Sequence, residues 1–417
     1  MKTLPLAVIS ATIITATTTV SAQQQPEFKW GGDIRLRTVY IDDVPMANGT
    51  SYDESSFQRY RTRLWTEFHP SENLFLNARF INEFRTQQTG DRANGWERYD
   101  ETVIDNLFID YQNDLFDLRI GRQDMTYGTG KLILDGTPMD GSRSIYFDAI
   151  KVTYKGFENT TVDLFAMYTK AENELALNSE NRNLVWNTNP AYDGAEAGGG
   201  VYIKNSSIDD LPWESYWILK TQEDGLSDDT HTAGARLMPK IAENITGNLE
   251  FAYQSDTEDL DGFMIDALAT FSLAEKTKLG LGWYYLSSDW NPIFSRWPQY
   301  SEAYVYGFSP ADGGVGRWSN MNLPHIDVSV SLTEKLKMDF LLGYMFAPEN
   351  NGVGGGHNRG LLFTWKNTFT LAEGLISEKD KLTGHLLVEM IDPGDYYNGT
   401  QQDELAGFLR SEISYSF

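Results

Sequence analysis

The sequence predicts an all-β fold: a transmembrane up-and-down antiparallel β-barrel of the outer-membrane kind, with about eighteen strands. Three observations predict it. The chain ends on Ser411-Glu412-Ile413-Ser414-Tyr415-Ser416-Phe417, where apolar and polar residues alternate up to a terminal aromatic. That alternation marks a strand with one apolar and one wet face. Alternating segments then run through the whole chain. Finally, the connections between them are short and long by turns, as in barrels with tight turns at one end and long loops at the other.

The elements follow in order. Met1-Lys2, the apolar and Thr-rich run from Leu4 to Val20, and the small-x-small triplet Val20-Ser21-Ala22 form a secretory signal peptide. Residues 1–22 are therefore read as removed and residues 23–417 as the barrel. The first segment, Trp30 to Tyr40, sets Ile34, Leu36 and Tyr40 on one face and Asp33, Arg35 and Arg37 on the other. In the second, Gln58 to Phe68, Tyr60, Leu64 and Phe68 oppose Arg59, Arg61, Arg63 and Glu67. In the third, Leu74 to Arg85, Leu74, Leu76, Phe80 and Phe84 oppose Asn77, Arg79, Glu83 and Arg85. Val103–Tyr111, Phe116–Gln123, Ile145–Tyr154 and Thr161–Thr169 come next. Gly198–Lys204, Glu214–Thr221, His231–Leu237, Gly247–Gln254, Phe263–Leu273 and Lys278–Ser287 continue the series. His325–Leu332, Leu336–Phe346, Gly360–Leu371, Leu382–Ile391 and Ala406–Phe417 complete it. Most are near the roughly 9–11 residues that a tilted strand needs to cross a membrane.

Compact connections such as His69–Asn73, Gln112–Leu115 and Thr333–Lys335 interleave with long ones such as Ile41–Phe57, Lys170–Ala197 and Ser288–Pro324. Two middle connections, Gln222–Thr230 and Ser255–Gly262, are shorter than this rule asks. The parity puts Phe417 beside the first strand near Trp30, at the periplasmic rim. It sets Arg410 and Glu412 in the lumen next to Asp33, Arg35 and Arg37. Composition agrees. The 417 residues include 13% aromatics and 36 glycines, carry a net charge of −25 and contain no cysteine. Aromatics suit girdles at the membrane surfaces. Ladder hydrogen bonds close a barrel without disulfides. The acidity argues against nucleic acid as a partner.

Arginine is the informative residue inside this frame. Arg35, Arg37, Arg59, Arg61, Arg63, Arg79, Arg85 and Arg119 fall in the first third of the chain and on the predicted lumen face. Stacked on one wall, their planar forks would give an anion successive weak footholds. The bland alternative is mutual neutralisation, since Asp33, Glu67, Glu83, Asp105, Asp110 and Asp117 lie in the same region.

The run Gly121-Arg122-Gln123-Asp124-Met125-Thr126-Tyr127-Gly128, then Lys131-Leu132, Arg143-Ser144 and Phe147-Asp148-Ala149-Ile150-Lys151, resembles the alginate export family of outer-membrane barrels. Two departures stand in it: Lys131 occupies a usual Arg position, and Ile145-Tyr146 separates the last two pairs. The resemblance implies a monomeric eighteen-stranded barrel with an Arg-lined constriction that passes an anionic polysaccharide, an alginate-like polyuronate or its oligomers. The matching positions would be Arg122, Gln123, Lys131, Arg143 and Asp148, near a loop that folds inward.

Other signals are weak. Gly128-Thr129-Gly130-Lys131 lacks the spacing of a phosphate loop. Asp256 to Gly262 carries part of a calcium-loop pattern, and a solvated acidic turn explains it as well. The five histidines are scattered, and no nucleophile–base pair can be singled out. The expectation is a channel without catalysis, cofactor or metal, in contact with outer-membrane lipid and with the barrel-assembly machinery. An uptake porin for small anions or saccharides is the nearest alternative. A barrel enzyme and a secreted carbohydrate-binding β-protein are more distant ones.

Overall fold

Backbone N–H and C=O groups in lipid must be paired within the protein, so membrane strands must close on themselves. The computed structural model describes residues 26–45, 51–52, 54–89, 98–134, 146–170, 175, 177, 196–222, 229–256, 261–295, 300–304, 319–397, 399 and 403–417. The signal-peptide reading and Arg143 lie outside the described residues.

Eighteen strands close a ring. They are β1 (Glu27–Asp42), β2 (Ser55–Ser71), β3 (Leu74–Thr89), β4 (Arg98–Gln112), β5 (Phe116–Gln123) and β6 (Phe147–Phe157). Next come β7 (Thr160–Thr169), β8 (Glu196–Asn205), β9 (Trp213–Gln222), β10 (Thr230–Leu237, prolonged by Lys240–Ala242), β11 (Ile245–Ser255) and β12 (Asp261–Ala274). The last are β13 (Thr277–Leu286), β14 (Met321–Thr333), β15 (Leu336–Phe346), β16 (Asn358–Glu373), β17 (Lys381–Asp392) and β18 (Ala406–Ser416). Each pairs antiparallel with its neighbours in chain order, and β1 pairs with β18. Val44–Pro45 and Ser51–Tyr52 form a separate small ribbon. Among the described residues no helix is long and apolar enough to cross a membrane.

Every predicted segment overlaps one of these strands. The largest difference is length: β1 to β4 have 15 to 17 residues. A ladder that has already formed continues past the hydrocarbon at no solvation cost, so alternation in the membrane marks only the middle of such a strand.

The apolar face looks outward. Ile34, Leu36, Leu64, Phe80, Ile120, Ile150, Leu281 and Ile413 are exposed in the isolated chain and meet lipid in the membrane. Aromatics ring both ends: Phe28, Trp30, Phe68 and Tyr111 at the short-turn end, and Tyr168, Tyr253, Trp283 and Tyr344 toward the long-loop end. At the seam, the N–H groups of Gly32 and Phe417 each donate to the other's carbonyl at 3.0 Å. The Trp30 ring lies edge-on to Phe417, 6.0 Å between centroids.

The turn between β16 and β17 is held by one carboxylate. Asp380 accepts from the N–H groups of Leu375, Ile376 and Ser377 and from the Tyr415 hydroxyl. Desolvation opposes its ionisation, yet these donors hold its carboxyl down to about 2.

Candidate functional site

Alternation on two neighbouring strands builds the arginine wall. Arg35 and Arg37 on β1 and Arg59 and Arg61 on β2 are all buried, and Arg63 is partly so. The ladder sets Arg35 opposite Arg61, Arg37 opposite Arg59 and Asp33 opposite Arg63. Like charges directly opposite one another are costly in a sheet, so the wall carries carboxylates of its own. Arg37 Nε donates to Glu412 Oε2 at 2.8 Å, and Arg35 Nε lies 3.8 Å from the same oxygen. Arg61 Nη2 and Arg63 Nε donate to Asp33 at 3.1 and 2.5 Å. Glu83 is 3.7 Å from Arg35 and 4.0 Å from Arg59, too far for hydrogen bonds. Arg61 Nε and Nη1 and both Glu83 oxygens have no hydrogen-bond partner among the described residues. A buried guanidinium with unspent donors favours an arriving carboxylate.

The other predicted positions do different work. Arg79 is clamped between two carboxylates: its Nε and Nη2 donate to Asp105, and its Nη1 and Nη2 to Asp124, at 2.8 to 3.0 Å. Arg119 donates to Asp110 and lies over the Phe108 ring, 4.2 Å from its centroid. Arg122 donates to Asp148 and to the carbonyl of Ile104, and stacks 3.7 Å over Tyr146. This clasp has a backbone cause. The last ladder partner of β5 on β4 is Leu107, opposite Arg122, one residue after Gly121 at φ 125°. Beyond that point the β4 backbone finds other partners: Leu177 N donates to Thr102 O, Ile104 N donates to Leu175 O, and Arg122 takes the Ile104 carbonyl. The Gln123 amide donates to the carbonyls of Gly121 and Ala149. Arg122, Gln123 and Asp148 therefore fasten the wall and do not extend the arginine row. Arg85 lies opposite Arg59 in the ladder; its side chain, like Arg143, is outside what is described.

Two segments fold into the lumen. The first follows β5. Asp124 is gripped by Arg79 and Asn106, and Met125, Tyr127, Leu132 and Ile133 are buried. Gly128 and Gly130, at φ 56° and 79°, turn the chain back so that Tyr127 N donates to Ile133 O at 3.1 Å. The Tyr127 ring stacks on Phe165 and Tyr202. Lys131 then reaches β12, where its Nζ donates to Asp266 Oδ2 at 2.8 Å. The second segment follows β13. Phe294 and Ile133 form a parallel bridge that joins the two segments. Further on, Glu389 of β17 accepts from the Ser301 hydroxyl and from the N–H groups of Glu302 and Ala303 at 2.9 to 3.0 Å. Arg410 of β18 then donates through Nη1 and Nη2 to Glu302 at 2.7 and 3.0 Å. The Tyr300 hydroxyl donates to Asp266 at 3.0 Å. Burial, with Asp163 beside Tyr127 and Asp266 beside Tyr300, pushes both phenols up.

Glu302, Glu389, Tyr300 and Asp266 are the residues that sequence reasoning missed. A loop that enters a lumen has no periodicity to betray it. The available signal was apolar content in otherwise polar connections: Leu132-Ile133-Leu134 in one and Ile293-Phe294 in the other. Among the described residues no group of three or more His, Asp or Glu is arranged to hold a metal ion.

The Gram-negative porin family model matches residues 10–291. That match overturns the resemblance to the alginate export family, because the run from Gly121 to Lys151 lies inside the matched stretch. No curated protein matches the sequence. Among solved structures, Pseudomonas aeruginosa OccK2 (OpdF) in complex with glucuronate is similar at a TM-score of 0.62 and 10% identity, over 94% of this chain and 98% of that one. Pseudomonas aeruginosa OpdK with vanillate is similar at 0.60 and 12%, over 93% and 98%. Acinetobacter baumannii OccAB4 is similar at 0.61 and 11%, over 95% and 100%. Likeness at such identities concerns the fold.

Proposed function

The chain belongs to the Gram-negative porin family, and from that membership we propose an outer-membrane porin that takes up small carboxylate solutes by diffusion. It is a channel protein of the outer membrane. The arginine wall carries the finer reading: Arg35, Arg37, Arg59, Arg61 and Arg63 occupy two adjacent strands and face three carboxylates, Asp33, Glu83 and Glu412. A guanidinium takes a carboxylate through two parallel hydrogen bonds. A row of them offers binding strong enough for entry and divided enough for exit.

Two further observations support small solutes over a polymer. The inward segments crowd the lumen from both sides, which favours compact molecules. Two of the similar barrels were solved with glucuronate and vanillate, each a small molecule with one carboxylate. The chain's charge of −25 does not oppose this reading. Salt screens exposed charges beyond about 8 Å at physiological ionic strength, while buried groups are screened much less. The reading includes cleavage before Gln23.

Planar-bilayer recording tests it, on protein purified from outer membranes whose mass matches a chain starting at Gln23. The wild-type pore is expected to prefer anions, and glucuronate to reduce its chloride current. The triple variant Arg59→Ala, Arg61→Ala, Arg63→Ala is expected to lose most of both properties. A cation-selective wild-type pore, or a triple variant with an unchanged reversal potential, sinks the carboxylate reading.

A further inference from the structure

We propose that the Glu302 carboxylate is a resident counter-ion of Arg410 that a passing solute carboxylate displaces, which makes Glu302 a residue that sets the channel's selectivity. This rests on the reading of the channel as a porin for small carboxylates.

Arg410 continues the arginine wall onto β18. It stands opposite Val39 of β1, two residues from Glu412, which pairs with Arg37. Its Nε donates to His385 Nε2 at 2.9 Å, and His385 Nδ1 lies 3.6 Å from Glu412. The outer edge of its fork meets both Glu302 oxygens, at 2.7 and 3.0 Å. That is the two-pronged geometry in which a guanidinium holds any carboxylate. Glu302 thus offers Arg410 the same functional group that the proposed solute carries.

The backbone and the side chain of Glu302 are held by different partners. Glu389 fixes the backbone through the N–H groups of Glu302 and Ala303 and the Ser301 hydroxyl. Only Arg410 is bonded to the Glu302 carboxylate in the described hydrogen bonds. Rotation about the Glu302 side-chain bonds releases Arg410 while the segment stays in place. A cavity of about 320 Å³ adjoins it, lined in part by Tyr300, Thr364, Lys366 and Glu389. Asp327 and Asp339 line the same cavity, and Lys366, within electrostatic reach of Arg410, Glu302 and Asp339, is the cation there that can take the displaced carboxylate. One carboxylate replaces another on the same guanidinium, and the charge-assisted pairing of Arg410 is kept throughout. A neutral or cationic solute offers no such exchange and leaves the pair closed. The contrasting case is a fixed structural ion pair, whose loss changes stability and nothing else.

Single-channel recording in potassium chloride with rising glucuronate separates the two. Glu302→Gln keeps the shape and removes the charge. It is expected to lower the glucuronate concentration that halves the chloride current by roughly tenfold, the order of one charge-assisted hydrogen-bonded pair. Glu302→Ala is expected to shift it in the same direction. In an Arg410→Ala background, Glu302→Gln is expected to add nothing. An unchanged half-blocking concentration in both Glu302 variants overturns the exchange, as does the same gain without Arg410. A wild-type pore indifferent to glucuronate overturns the exchange together with the reading beneath it. A glucuronate response that disappears in the Arg59, Arg61, Arg63 triple variant but ignores Glu302 overturns the exchange alone.

Discussion

Arg79 holds two carboxylates at once, Asp105 on β4 and Asp124 at the root of the first inward segment. Asp105 is fully buried, so removing its cation leaves a charge with no water to turn to. Arg79→Leu is expected to cost about 3 kcal/mol, the low end for breaking a buried pair because Asp124 is partly exposed. Urea unfolding in lipid vesicles measures it, and a midpoint equal to wild type counts against the clamp. The same residue shows what a sequence can tell at this scale. That Arg35, Arg37, Arg59 and Arg61 turn inward follows from spacing of two on amphipathic strands. That Arg79 is neutralised does not, because its second partner comes from a loop. Arg122 shows the same limit: its role depends on where β5 parts from β4, at Leu107 opposite Arg122.

At the scale of elements, strands were legible because lipid enforces alternation residue by residue. The inward segments were not, because a loop inside a lumen answers to particular partners such as Asp266 and Glu389. The closing seam lies between these cases. Phe417 was readable as a terminal strand residue, whereas the room it needs is made by Gly31 and Gly32. A Cβ on Gly31 would lie 2.6 Å from the Phe417 carbonyl oxygen, and one on Gly32 would lie 2.5 Å from Arg63 O and 2.9 Å from the Phe417 ring. Gly32→Val is therefore expected to lower the yield of closed barrel. Heat-modifiable gel mobility after refolding reports the closed fraction. Refolding at wild-type yield argues against a steric role for the seam glycines.

At the scale of the molecule, the two inward segments and the ring form one bonded body. The first segment is anchored by Arg79 on β3 and by Asp266 on β12, nine strands apart in a ring of eighteen. Lys131→Met keeps an unbranched side chain one atom shorter and removes its bond to Asp266, which still accepts from Asn248 and Tyr300. The variant is expected to fold, and its open-channel current to be larger and noisier than wild type; identical single-channel records reject the anchor. Anchors half a ring apart also have a mechanical meaning. A hollow cylinder in a fluid sheet flattens toward an ellipse when lateral pressure is uneven, and its bore narrows as it does. A strut along a diameter resists that deformation. The cross-section of this pore is then fixed by its own strut, and permeation becomes insensitive to the tension and thickness of the bilayer around it.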